Sequence, residues 1–252
     1  GPDVLGRRGE ARRRGDVGVD GPPSGEPAEL VVRARDGGVA LMLNVLYEQP
    51  ASIEIQNTLG ADIIMAFDEC TPFPATEKQA SQGVRRTLSW MERCMRAHKR
   101  SDDQALFAIV QGSTFQHLRA SCAEVLVSMD LPGYAIGGVS VGEGHDLLCE
   151  VSDFTTPLLP EDKPRYLMGV GLPEDLLACV GHGVDMFDCV IPTRYARSAT
   201  VFTSRGRIRL SNRRFRRDAY PIDASCECYA CTGGMSRAYL HHLFAANEVL
   251  SA

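Results

Sequence analysis

Cys226, Cys228 and Cys231 are spaced as CxCxxC in a polar, glycine-containing stretch, so a single turn can aim three thiolates at one tetrahedral zinc ion. Thiols packed so closely in such a segment have little apolar core to enter, which makes metal binding the stronger reading. A fourth ligand is needed, and His241 and His242 follow closely in the chain. The remaining six cysteines, Cys70, Cys94, Cys122, Cys149, Cys179 and Cys189, are scattered, as small buried thiols of a reducing compartment are. A cytoplasmic location is the expectation that follows.

Asp188 stands in an otherwise apolar string, ValAspMetPheAspCysValIlePro at 184–192, where a carboxylate is costly to desolvate unless it has partners or a task. Asp68 and Asp185 invite the same question, and a structural aspartate bonded to backbone amides is the alternative for each. Two carboxylates with Gln111 would match the donors and acceptors along the edge of a purine-like base, leaving one carboxylate free to act as a nucleophile. Between Arg205 and Arg217 the chain carries seven arginines, at 205, 207, 209, 213, 214, 216 and 217, against a net charge of -5. Such a run attracts phosphates, or forms a solvated basic face.

These groups need a scaffold, and 252 residues with 44% hydrophobic content can bury one. No apolar run is long enough to span a membrane. Residues 1–50, rich in Gly, Pro and Arg, read as a disordered or non-native leader, residues 51–200 as the folded body, and residues 201–252 as a basic, zinc-binding region. Within the body, short apolar runs at 61–67, 106–110, 134–136, 165–170 and 184–190 read as strands. They alternate with helices at about 77–98, 115–129, 146–155 and 174–180, and a further helix is expected over 236–250. This alternation means βαβ units on a parallel sheet, either a barrel or an open doubly wound sheet. Nearly every strand ends in a group with chemical capacity: Asp68, Gln111, the pair Gly137 and Gly138, the pair Gly169 and Gly171, and Asp188. An open sheet with one switch point would not require that, so the fold class expected is α/β of the TIM (β/α)8 type.

Several longer motifs carry a resemblance. They are PheAspGluCysThrProPheProAla at 67–75, ValGlnGlySer at 110–113, TyrAlaIleGlyGlyValSerValGlyGlu at 134–143, ArgTyrLeuMetGlyValGlyLeuProGluAsp at 165–175, AspMetPheAspCysValIleProThrArgTyrAlaArg at 185–197, and the cysteine cluster followed by SerArgAlaTyrLeuHisHisLeu at 236–243. In this order and spacing the chain from about residue 52 onward resembles the tRNA-guanine transglycosylases, also called queuine tRNA-ribosyltransferases, of bacterial type. The resemblance implies a TIM barrel with a small zinc subdomain that replaces guanine at the tRNA wobble position with the 7-deazaguanine preQ1, in queuosine biosynthesis. Asp188 matches the family's nucleophile, which would form a covalent ribosyl intermediate in two displacements. Asp68, Gln111, Gly137 and Gly138 match the region that holds the base, and Met168 a residue lying against its face. Cys70 and Val141 match the type that takes preQ1, with Val141 leaving too little room for queuine. Gly169, Val170, Gly171, Leu172, Pro173, Glu174 and Asp175 match a segment that touches RNA, and Thr193, Arg194, Tyr195, Ala196 and Arg197 the segment that reads the wobble region. The partners implied are tRNA, the preQ1 base and a second copy of the chain.

The sequence also departs from that pattern. The family's upstream AspSerGlyGly motif, whose aspartate is the general acid and base, has no counterpart here beyond AspGlyGly at 36–38, which lacks the serine. The family's fourth zinc ligand, a histidine in a HisAsn pair, lies beyond the point matched by Ala252, so that either His241 or His242 substitutes or zinc binds weakly. A barrel without its early strands would expose apolar sheet edges, so the chain is expected to be truncated at both ends and unstable or inactive as it stands. Two alternatives are a non-catalytic partner subunit of a transglycosylase and an RNA-binding remnant.

Overall fold

A computed structural model describes residues 49–249 of the chain. Residues 1–48 of the expected leader, the AspGlyGly string at 36–38 and residues 250–252 lie outside the described residues. The first described element is a helix, α1 (Gln49–Leu59), followed by strand β1 (Ile63–Met65) and the long helix α2 (Glu77–Ala97). Three further strand and helix rounds follow: β2 (Ala105–Val110) with α3 (Gln116–Val127), β3 (Gly133–Ile136) with α4 (His145–Thr155), and β4 (Arg165–Leu167) with α5 (Pro173–Gly181). Strand β5 (Met186–Phe187) completes the sheet.

The five strands form one curled sheet in the order β1-β2-β3-β4-β5, a half-barrel in which every neighbouring pair is parallel. Spatial order equals chain order throughout, so the sheet has no point at which the winding reverses, as a doubly wound sheet would. All five strands therefore end on the same edge, where parallel barrels place their chemistry.

Burial explains which strands sit centrally. All of β3 and all but the first residue of β2 are buried, as expected of parallel strands covered on both faces. Leu106, Ala108 and Val110 share a core with Ile64, Tyr134, Ile136 and Leu167, and with Val84, Met91, Cys94, Ala123 and Leu126 from α2 and α3. Phe107 and Ile109 alternate with them and are buried on the other face of the sheet. The pattern of α2 is strongly amphipathic, and Ala80, Gly83, Val84, Thr87, Met91 and Cys94 form its buried stripe. Its start is fixed by a capping box between Thr76 and Gln79.

Strands are shorter than the apolar runs that predict them. Ala66 still donates to Phe107 O at 3.0 Å, but 66–68 leave the ladder to form the loop that carries Asp68. Strand β4 stops before Gly169, whose φ of 75° turns the chain. Strand β5, at the sheet's edge, keeps only the pairs Tyr166 with Met186 and Leu167 with Phe187.

Beyond the sheet, α6 (Ile191–Arg197) leads into an antiparallel hairpin, β6 (Thr200–Thr203) and β7 (Gly206–Arg209), then to α7 (Tyr229–Thr232) and α8 (Arg237–Ala245). Ser236 caps α8 by accepting from Tyr239 N, and the helix ends five residues short of the predicted 250. A second core, built on Ala199, Leu210, Phe215 and Leu240, holds this region together. Among the described residues no helix is long and apolar enough to cross a membrane.

Candidate active site

Asp68 leaves β1 on a loop that α2 holds from beneath. Glu69 N donates to Thr87 Oγ1 at 3.0 Å, Arg86 pairs with the Glu69 carboxylate, and Thr71 lies so close to Gly83 that a side chain there would strike its hydroxyl. So placed, the Asp68 carboxylate accepts from Gln111 Nε2 at 2.5 Å. Burial pushes the Asp68 carboxyl above its ordinary range, and the hydrogen bond from Gln111 offsets part of that rise. Gln111, the residue after β2, is almost fully buried, and its amide oxygen has no hydrogen-bond partner among the described residues. That oxygen and the amide nitrogen press against Gly138 and Gly137 respectively, where any Cβ would lie about 2.5 Å away, so the strand ends meet with no room for side chains. Gly138 also has a φ of 67°, which few other residues adopt.

On the far side of the same edge stands Asp188, directly after β5. Its Oδ1 accepts from the Tyr166 hydroxyl at 2.6 Å and from Gly169 N at 2.8 Å. Among the described residues no hydrogen bond reaches its second oxygen, and the side chain is exposed to solvent. Burial and the neighbouring carboxylate push the Tyr166 phenol well above its ordinary range, so it remains a proton donor. Met168 lies between these groups in sequence and is half-buried. Cys70 is exposed as a residue, but its thiol is partly shielded near Asp68, Arg119 and Glu143 and interacts with the Gly138 N–H, and this shielding and then Asp68 raise its pKa. Val141 is 39% exposed, on a loop whose amides at Ser140 and Val141 both donate to Glu143.

One edge of a parallel sheet thus carries a partly buried carboxylate paired with a buried amide and, two strands beyond Gly138, a solvent-facing carboxylate with one oxygen tied down. The sequence profile described as queuine tRNA-ribosyltransferase matches residues 42–252. The chain belongs to the queuine tRNA-ribosyltransferase family. It is 58% identical over 200 residues to the queuine tRNA-ribosyltransferase of Caldanaerobacter subterraneus, a match covering 79% of this chain and 53% of that protein. The proteins of the same name from Bacillus mycoides and Bacillus subtilis are 57% and 56% identical over 197 residues, each match covering 78% of this chain and 52% and 51% of theirs. The chain spans about half the length of the curated relatives it matches.

Within this family member the other predicted residues fall around the same edge. Gly169 N donates to Asp188, Val170 is buried, Gly171 packs directly on Cys189, and Leu172 occupies the N-cap position of α5 without a side-chain capping bond. Pro173, Glu174 and Asp175 open that helix, and Asp175, buried, accepts from His145 Nδ1 at 2.5 Å. Thr193, Arg194, Tyr195, Ala196 and Arg197 all lie on α6, which begins three residues after Asp188. Arg194 and Arg197 are exposed, whereas Tyr195 stacks on Phe202 and carries Arg207 against its ring. The seven arginines from 205 to 217 are all exposed.

Cys226, Cys228 and Cys231 converge, with their sulfurs within 4.8 Å of one another, a spacing that one ion could draw into coordination. Backbone N–H of Cys231 and the two neighbouring thiols hold the Cys228 thiol below its ordinary range, as suits a thiolate ligand. Neither His241 nor His242 joins the group among the described residues, and His241 Nδ1 lies 2.8 Å from Leu210 O instead. The histidines therefore do not substitute for a fourth ligand in this arrangement.

Sequence reasoning passed over Tyr166, Arg119 and Glu143. Tyr166 could have been found from its place two residues before Met168 on a predicted strand, on the same face as the motif residue. Nothing in the sequence marks Arg119 as buried.

Proposed function

We propose that the intact protein exchanges guanine for preQ1 at the wobble position of tRNA, with Asp188 as nucleophile. The observation that supports this most is the asymmetric setting of Asp188. Two donors occupy Oδ1, which fixes the carboxylate's orientation and leaves Oδ2 free to attack C1′ of the ribose. As Oδ2 forms a bond to C1′, the glycosidic bond to guanine breaks with its electron pair leaving on the base. The incoming base then attacks C1′ and releases Asp188, and two inversions restore the original configuration.

Asp68 and Gln111 hold the base. An ionised Asp68 accepts from the base's ring and exocyclic N–H groups, while the Gln111 amide and Gly138 N–H serve its carbonyl side. Met168 lies against its face, and Cys70 and Val141 line the rim, where Val141 favours preQ1 over the bulkier queuine. The residues from Gly169 to Asp175 and from Thr193 to Arg197 contact the RNA around the wobble nucleotide, and the exposed arginines of the hairpin region meet its phosphates. Cys226, Cys228 and Cys231 would hold zinc, which when bound cross-links the segment between the hairpin and α8. The half-barrel is read as part of a TIM barrel with a zinc subdomain, and the assembly as a homodimer.

Incorporation of radiolabelled guanine into tRNA tests this reading. Label should enter a tRNA with guanine at the wobble position and should not enter the same tRNA carrying adenine there. Equal labelling of both, or of neither, contradicts it.

A further inference from the structure

Arg119, on α3, is 0% exposed, and among the described residues no carboxylate pairs with it. A buried cation without a counter-ion is expensive, so its position calls for a reason. Burial lowers its pKa to about 10, which leaves the guanidinium charged at neutral pH.

Its donors span two strand ends. Nε donates to Ser113 O at 2.6 Å, in the loop after Gln111, and Nη2 donates to Gly137 O at 2.9 Å, at the end of β3. The remaining Nη1 has no hydrogen-bond partner among the described residues. In a trans peptide the C=O and N–H point in opposite directions, so fixing the Gly137 carbonyl also fixes where the Gly138 N–H points. That N–H faces away from Arg119, on the side of Cys70, whose thiol it reaches. A cation bonded to a peptide oxygen also polarises the peptide and strengthens its N–H as a donor.

We propose that Arg119 is a positioning residue of the base pocket: it locks the Gly137–Gly138 peptide so that the Gly138 N–H is a preset, cation-backed donor to the carbonyl oxygen of a 6-oxopurine-type base. This rests on the base-exchange reading. When the glycosidic bond breaks, the departing purine carries negative charge that spreads onto its carbonyl oxygen, so a preset donor there favours the leaving base as well as the bound one.

The test compares guanine with 2-aminopurine, which lacks the 6-oxo group, by calorimetric titration of the full chain and of its Arg119→Gln and Arg119→Lys variants. The unaltered chain should prefer guanine. Arg119→Gln should cut that preference about tenfold while leaving 2-aminopurine affinity within about twofold, and Arg119→Lys, which keeps the charge and one donor, should fall between. Equal weakening of both ligands, or an unchanged preference, overturns the proposal by reducing Arg119 to a packing role. Should the Gln chain fail to fold, the Lys chain decides by the same comparison. A second readout needs no variant: the Gly138 amide proton should move downfield on adding guanine and stay in place with 2-aminopurine, and no selective shift overturns the proposal. If the unaltered chain binds neither base, the base-exchange reading fails and this inference fails with it. Guanine binding with unchanged discrimination in the variants overturns the inference alone.

Discussion

The Tyr166 hydroxyl and the Gly169 amide converge on one oxygen of Asp188, at 2.6 and 2.8 Å. Two donors on Oδ1 leave the carboxylate with one anchored and one open oxygen, and the open one is the proposed nucleophile. Tyr166→Phe removes one of them, and loss of a hydrogen bond to a charged group predicts a rate of adduct formation with tRNA lower by about tenfold. Because the phenol is held far above its ordinary range, its titration should leave no alkaline limb in that rate below about pH 10. Single-turnover kinetics across pH check both statements.

Asp68 behaves in the opposite sense from a typical surface carboxylate. Its folded pKa lies above the unfolded 3.8, so its contribution to stability is fully present below about 3.8 and is lost as pH rises through the folded value. At pH 7 the ionised group is a net cost. Asp68→Asn should therefore melt at a higher temperature than the parent at pH 7, and the difference should shrink as pH falls through the raised Asp68 value. The same substitution should weaken guanine binding about 10- to 100-fold. Guanine affinity in the parent should fall with decreasing pH through the raised Asp68 value. Gln111→Leu should move that limb upward, because Gln111 is the donor that favours the ionised form.

The sheet and most of the site were legible because parallel strands write themselves as apolar runs and deliver their next residue to one edge. Gln111 follows Val110, Gly137 follows Ile136 and Asp188 follows Phe187, so chain position alone put them together. Arg119 was illegible because its helix has a weak amphipathic pattern and an arginine reads as solvent-facing. Its burial depends on carbonyls from two different strand ends, which no local pattern encodes. The hairpin was masked by its own arginines, although Arg207, Ile208, Arg209 and Leu210 alternate polar with apolar as a half-buried strand does. Helix α1 went unread because only part of it shows apolar spacing, and strands β4 and β5 were drawn too long because Gly169 and the sheet edge end them early.

Zinc is expected at one ion per chain on the three clustered thiols. Removing it with a chelator should lower the melting temperature, and Cys228→Ser should reproduce the loss in metal content and in stability. Elemental analysis alongside thermal melting checks this. A chain that melts identically with and without chelator contradicts a structural role for the cluster.

Val141 sits on a loop rather than deep in the core, so it can be shortened without a cavity. Val141→Gly should raise queuine incorporation relative to preQ1 by about tenfold, the range that removing a few methyl-sized groups from a pocket wall commands. Competition between the two bases for the same tRNA measures the ratio directly.

The central claim is that Asp188 attacks the ribose. Denaturing electrophoresis after incubating the intact protein with a wobble-guanine anticodon stem-loop tests it most directly. A band at the summed mass of protein and RNA should form with the parent, be discharged by added preQ1, and be missing with Asp188→Asn. No band with the parent, or an equal band with Asp188→Asn, would contradict it.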